Sequence, residues 1–474
     1  MMDAFSTAEL RLLVETEDEG GGEEPVLHVN GRTWLLRTFT TPTSTPGYIC
    51  VSYIWGTERA ANPFLPAPAS VSVNTIPALS AAMASTGCKA FWIDAFCVPI
   101  QQPARRATLE SMGYIYSQAK AVRAVLSARS FTAVQQLSTG DRLDEASLAI
   151  LDADQWVQSV WTYQEVVNNR NLAFVCASAP GVVIDGTDFL NGLGFSLQKY
   201  KQRHGVDTFA IRETFPSLDA LDELLGDWQI AGYGQRSALQ VMSNMDRRKW
   251  TEERNYFYAM IGSVTSNPCH RTGQGLGDQH LSETFMSVCE EKNDFSFIYS
   301  SAERSIDPSR RWRPRAGILP SILPWHNWGE AQPGHYDQDG KLCLEEVLHF
   351  DEISTSLTQV ARDFIAQWLR RRDLATASEE DIVRAGHFTL LRMGFTGSRD
   401  YVNLGDGVFF PQTPVGGGSF DLVVSTTIRW SLGAPGLVRM KSARGTSYIP
   451  GVFVGPMGHM EEMANRNGTS ICLD

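Results

Sequence analysis

Between residues 48 and 176 the chain alternates short apolar runs with stretches of helical spacing, and few architectures accommodate that alternation. YICVSY (48–53), FWIDAFC (91–97), AVRAVL (121–126) and LAFVC (172–176) read as short strands buried in a sheet. Between them, residues 76–86 form an alanine-rich helix. Residues 104–119 carry Leu109, Met112, Tyr116 and Ala119 at helical spacing. A helix at about 145–151 follows, then another over 154–168, whose start Asp154 can cap. Strands alternating with helices imply a parallel sheet covered on both faces.

At 474 residues the chain is long for one domain, so two or three are expected. Residues 1–45 form an N-terminal segment, in which ETEDEGGGEE (15–24) is acidic and TPTSTPG (41–47) is a linker. Within it, residues 26–39 show a strand-turn-strand pattern around Asn30-Gly31. The sheet core spans 46–180. Residues 181–330 are mostly helical, with candidate helices at Phe189–Lys201, Leu218–Leu225, Ser237–Met245 and Asn255–Val264. Beyond 330 the pattern changes to a mixed, β-rich C-terminal unit, 331–474. There, Ile353–Arg371 is expected to be an amphipathic helix with Leu357, Val360, Ala361, Phe364, Trp368 and Leu369 on one stripe. HFTLLRMGF, GVFFPQ, FDLVVSTTIRW and YIPGVFVG follow as short alternating runs between glycine-rich turns.

The formal net charge is −12 and no long basic tract exists, which argues against nucleic acid or an anionic membrane as partner. No apolar stretch is long enough to span a bilayer, and MMDAFSTAEL lacks the pattern of a signal peptide, so a cytoplasmic location is expected. The Asn467-Gly468-Thr469 sequon carries no meaning there. The eight cysteines contain no C-x-x-C pair, and His459-Met460-Glu461 has none after it; no metal site is expected, and the cysteines read as reduced, mostly buried thiols. Gly273, Gly275 and Gly277 do not follow a strand, and neither a Walker A loop nor a G-x-S-x-G elbow occurs.

Five places are candidates for chemistry. Ser52-Tyr53-Ile54-Trp55-Gly56 ends the first strand, either packing there or lining a ligand site at a topological switch point. Asp94 sits in an apolar strand, where an acid is costly unless bonded; it serves loop amides of 98–104 or a ligand. Cys97 has no histidine close in sequence and reads as a small buried thiol. In WTYQEVVNN, Trp161 and Glu165 lie four apart on one helix face. Glu165 either faces a cleft, or caps a loop or bonds an arginine such as Arg170. RSIDPSRRWRPRAG (304–317) either holds a phosphate or is a loop that is solvated or paired with acids.

These motifs join in order. YICVSYIWG, FWIDAFCVPIQ, ESMGYIYSQAKAVRAVLS and SVWTYQEV resemble the four blocks of the fungal heterokaryon-incompatibility (HET) domain: S-Y-x-W-G, W-I-D-x-x-C, M-x-x-I-Y-x-x-A and W-x-x-Q-E. RRKWTEERNYFYAMIGSV and LPSILPWHNWG resemble segments that follow, so the resemblance covers about 46–330. One departure is the loop Cys97-Val98-Pro99-Ile100-Gln101-Gln102-Pro103, where the family usually has C-I-N-Q and then acids.

HET domains resemble TIR domains, which implies a flavodoxin-like (TIR-like) α/β fold with a parallel sheet core. It also implies an effector of nonself recognition that cleaves NAD at the nicotinamide–ribose bond and triggers cell death. On that likeness Glu165 is the catalytic candidate, with Trp161 as its neighbour. Ser52, Tyr53, Trp55 and Gly56 line the substrate cleft from the first strand and Asp94 from the second. NAD is then a substrate and no cofactor is needed. The likeness further implies activation by self-association or by a recognition partner protein. The alternative is a non-enzymatic assembly module in which Glu165 is structural. The enzyme reading expects Glu165 to point into a cleft shared with Tyr53 and Asp94.

Overall fold

A computed structural model describes residues 10–17, 24–40, 44–225, 236–265, 280–350, 354, 356–416, 419–442, 445–457 and 470–473. The glycines at 273–277, His459–Glu461, the sequon, and parts of the acidic segment and the linker lie outside these residues. The chain divides into two compact units, Met1–Tyr233 with Arg248–Gln279, and Gly234–Arg247 with His280–Asp474.

The first unit is built on an eight-stranded sheet. Its strands are β1 (Leu10–Thr16), β2 (Val26–Val29), β3 (Arg32–Phe39), β4 (Ile49–Ser52), β7 (Ala90–Trp92), β8 (Ala121–Leu126), β9 (Leu172–Cys176) and β10 (Ala179–Asp185). β5 (Arg59–Ala61) and β6 (Ser70–Ser72) make a separate ribbon. The order is β10-β9-β8-β4-β7-β1-β3-β2. β4 pairs in parallel with both β7 and β8, and β8 with β9. Along the chain these four strands therefore run second-first-third-fourth, and the order reverses between β4 and β8. In open α/β sheets, ligands bind beyond the carboxyl ends of strands at such a point.

The expectation of a parallel sheet holds for these four central strands, while both edges of the sheet are antiparallel. β10 returns on β9 after two residues, a connection only an antiparallel pair allows. On the other side β1 pairs antiparallel with β7 and β3, and β3 with β2. β2 and β3 form the hairpin expected at Asn30-Gly31, whose φ values of 54° and 71° suit a tight turn. β1 was not anticipated. Its buried Leu10, Leu12 and Leu13 are interrupted by Arg11, which masks the apolar run.

Three continuous elements in the sequence reading are broken in the fold. FWIDAFC is strand only to Trp92; Asp94–Cys97 is a helical turn. The helix expected over 104–119 is two, Ala104–Glu110 and Met112–Gln118, separated at Ser111. The helix over 154–168 is also two, Gln155–Gln158 and Trp161–Val167. Here Ser159 is extended and bridges Lys249, with the Val160 amide donating to the Lys249 carbonyl at 3.1 Å. Asp154 caps as expected, its Oδ1 accepting from the Trp156 amide at 2.9 Å. The helices Gly186–His204, Pro216–Leu225 and Glu253–Val264 contain those read from sequence.

Within the second unit the C-terminal region is β-rich, as expected. A six-stranded antiparallel sheet comprises β13 (Val347–Phe350), β14 (Val402–Asn403), β15 (Val408–Pro411), β16 (Phe420–Ser425), β17 (Gly433–Ser442) and β18 (Gly445–Val454). β11 (Gly334–Tyr336), β12 (Leu342–Glu345) and β19 (Ser470–Leu473) form a smaller sheet. The helix Ala238–Met245 starts at the Ser237 cap. The amphipathic helix is Gln359–Trp368, and it buries Ala361, Ile365 and Ala366 while Val360 is exposed. HFTLLRMGF is not a strand. It ends the helix Glu379–Arg392, capped by Ser378 and burying Ile382, Val383, Gly386, His387 and Leu390 at helical spacing. Arg313 pairs with Glu283 and Glu290, and Arg315 with Glu303, so part of the basic stretch is held by acids. Cys343 and Cys472 are joined by a disulfide, contrary to the expectation of reduced thiols throughout. Among the described residues no helix is long and apolar enough to cross a membrane.

Candidate functional site

β4 delivers Ser52 to its carboxyl end, beside the point where the strand order reverses. The Ser52 hydroxyl donates a short hydrogen bond to Glu165 Oε2 and accepts one from Trp156 Nε1 at 2.7 Å. The Tyr116 hydroxyl donates to the other oxygen, Glu165 Oε1, at 3.1 Å. Both carboxylate oxygens are thus held by hydroxyls rather than by Arg170. Aromatic packing fixes the donors. Tyr116 lies edge-on to Trp92 of β7 at 5.5 Å, and Trp156 edge-on to Phe174 of β9 at 5.3 Å.

Glu165 is 6% exposed. Burial pushes its carboxyl up to about 7, and the negative charge of Asp94 adds to the rise; the hydrogen bonds from Ser52 and Tyr116 oppose it. No cation is among these influences. The result is an acid that ionises near neutrality and then holds a negative charge with only hydroxyls to stabilise it.

A second cluster surrounds Asp94, which is half-buried. Its Oδ2 accepts from Trp55 Nε1 at 2.8 Å, and its Oδ1 from the Ala95 amide at 2.6 Å. Burial raises this carboxyl to about 6 against the opposing bonds from Trp55, Ala95 and Tyr53. Asp94 therefore bonds an indole and its own helical turn. The Tyr53 hydroxyl shares a hydrogen bond with Thr75 Oγ1 at 2.8 Å. Gly56 has a φ of 67°, and Asn74 Nδ2 fastens the loop before it by donating to the Ile54 carbonyl at 3.0 Å. Trp161 is half-buried and stacks on Tyr258 at 6.5 Å, away from the carboxylate bonds of Glu165.

The residues singled out in the sequence thus form two groups, Ser52 with Glu165, and Trp55 with Tyr53 and Asp94, linked by the charge of Asp94 on Glu165. Cys97 is fully buried and its thiol is pushed up to about 12, mainly by burial, which leaves no thiolate for nucleophilic work. A surface hollow of about 550 Å³ lies elsewhere, lined by Gln136, Gly140, Asp141, Arg142 and Lys199.

Sequence reasoning missed Tyr116, Trp156 and Thr75 as functional partners. Tyr116 and Trp156 are fully buried, and a buried hydroxyl or indole N–H needs a hydrogen-bond partner, which was the available signal. The two asparagines behind Glu165 are clamps. Asn168 Nδ2 donates to the Gln164 and Gly262 carbonyls, each at 2.7 Å. Asn169 Nδ2 donates to the Tyr116 and Ala119 carbonyls at 2.9 and 2.7 Å, tying the Tyr116 helix to the Glu165 helix.

All four sequence blocks meet here: Ser52 from the first, Trp92 from the second, Tyr116 from the third and Glu165 from the fourth. Residues 48–171 match the family model described as Heterokaryon incompatibility protein (HET). None of the curated proteins and none of the solved structures compared with the chain matches it.

Proposed function

We propose that this chain, whose residues 48–171 match the heterokaryon incompatibility family model, has a role in heterokaryon incompatibility and acts as an effector of nonself recognition that cleaves NAD at the nicotinamide–ribose bond. The observation that carries this reading is Glu165, a buried carboxylate with two hydroxyl donors and, among the described residues, no cationic partner, whose carboxyl burial raises to about 7. Its place beside a strand-order reversal supports a ligand site.

When the nicotinamide–ribose bond breaks, nicotinamide departs as a neutral molecule, so no general acid is required. Positive charge develops on the ribose as in an oxocarbenium-like transition state. An ionised Glu165, without a cation to offset it, stabilises that charge. Water then adds to the ribose and loses a proton, giving ADP-ribose and nicotinamide. Trp55 and Tyr53 offer aromatic faces to the pyridinium of the intact substrate. With Glu165 only 6% exposed, contact with substrate requires the Ser52 hydroxyl to turn from the carboxylate toward the ribose. A recognition partner or self-association would supply that rearrangement and so trigger cell death.

The same burial favours a second reading, an assembly module in which Glu165 only secures β4 to its helices. Cellular NAD separates the two. Expression of the wild type is expected to deplete NAD, and Glu165→Gln to leave it intact. Cell death with equal NAD in both would sink the enzyme reading and leave the module.

A further inference from the structure

The sheet β11-β12-β19 gathers metal-binding side chains on one face. Cys343 lies directly opposite Cys472 on β19 and directly opposite His335 on β11. Directly paired residues of adjacent strands point to the same side. Asp337 continues that face two residues beyond His335, and one of its oxygens lies within 4.8 Å of both cysteine sulfurs. Asp337 Oδ1 accepts from the Asp339 and Lys341 amides at 2.9 and 2.8 Å, which fixes the carboxylate in place. His335 Nδ1 lies 2.9 Å from Glu345 Oε1. In the disulfide state Glu345 thus holds His335 apart from the Asp337, Cys343 and Cys472 ligand atoms, and His335 must leave Glu345 to reach them.

We propose that, when the disulfide is reduced, Cys343, Cys472 and Asp337 bind a zinc-class divalent cation, with His335 as the fourth ligand after a side-chain rotation. Two molecules of a small thiol reduce the S–S bond, leaving two protein thiols and one external disulfide. The cation then displaces both thiol protons. Two thiolates, an imidazole and a carboxylate make a four-coordinate set suited to zinc. The site thus has two chemical states, and each fastens β19 to β12. Spacing could not disclose it, because the two cysteines are 129 residues apart.

Cobalt(II) is the probe, added anaerobically to the full chain before and after reduction by dithiothreitol and removal of the reductant. The expected result is a thiolate-to-cobalt charge-transfer band saturating at one cobalt per chain, in the reduced protein only and abolished by zinc. Cys472→Ser also removes the disulfide and lowers the stability of the second unit, so circular dichroism first establishes a temperature at which it is folded; there it should lose the band. His335→Ala should weaken cobalt binding by about tenfold or more. A reduced protein without the band overturns the site, as does a band retained in Cys472→Ser. Retention would assign the signal to another thiol such as half-buried Cys88. Unchanged affinity in His335→Ala removes His335 from the ligand set.

Discussion

Glu165 is the residue at which local chemistry and stability pull apart. Its carboxyl is raised from 4.5 to about 7 by the fold. The folded protein therefore binds this proton more tightly than the unfolded chain does. The stabilisation is fully present below pH 4.5 and is lost as pH rises through 7. The size is on the order of 3 kcal/mol. Glu165→Gln keeps the shape and cannot ionise. Wild type is expected to lose stability relative to Glu165→Gln between pH 4.5 and 8, measured by urea unfolding at each pH. A difference independent of pH would mean that Glu165 is not buried as an acid. If NAD is the substrate, turnover should rise over the same window as the carboxylate forms. Ser52 and Glu165 were legible in sequence because they stand in ordered motif blocks. Tyr116 and Trp156 were not, because in a helical apolar stripe an aromatic with a polar atom looks like one without.

At the scale of elements, the helix carrying Glu165 is set by two glycines. A Cβ on Gly113 would lie 2.1 Å from the Gly262 carbonyl oxygen, and one on Gly262 would lie 1.7 Å from Gln164 Oε1. The backbones of Met112–Gln118 and Glu253–Val264 therefore approach closely, with Gln164 of Trp161–Val167 against the contact. Gly113→Ala meets rigid backbone and is expected to destabilise the first unit by about 1–3 kcal/mol or more. Gly262→Ala meets the end of a side chain, but one that is fully buried, so little relief is available. Thermal unfolding of both variants checks this. A Gly113→Ala protein with wild-type stability would rule out the close approach. The parallel strands and the helices between them were legible because short apolar runs alternate with stretches at helical spacing. The breaks were not. Ser159 leaves the helix to pair with Lys249, a partner ninety positions away whose pull leaves no local trace. HFTLLRMGF misled for the opposite reason: a short window at a helix end samples too little of the 3.6-residue period to show it.

For the whole molecule, the division into two units places the Cys343–Cys472 bond entirely in the second. The chain between the two cysteines includes all six strands of the larger sheet, β13 to β18. Closing a loop of 129 residues restricts the unfolded state of this unit, and the chain-entropy account assigns such a loop about 5 kcal/mol. The free cysteines Cys50, Cys88, Cys97 and Cys176 belong to the first unit and make no such closure. A reductant, with a chelator present to keep the thiols metal-free, should therefore act on one unit. Amide exchange is expected to rise in β12, β19 and the six-stranded sheet. It should stay unchanged in β4 and β8, which carry and flank Ser52. Thermal unfolding should show the transition of the second unit shifted down by roughly 10–20 °C, with the Cys343→Ser/Cys472→Ser protein reproducing the shift without reductant. Exchange that rises equally in both units would show that the bond supports the chain as one cooperative body, and that Glu165 depends on it as much as β19 does.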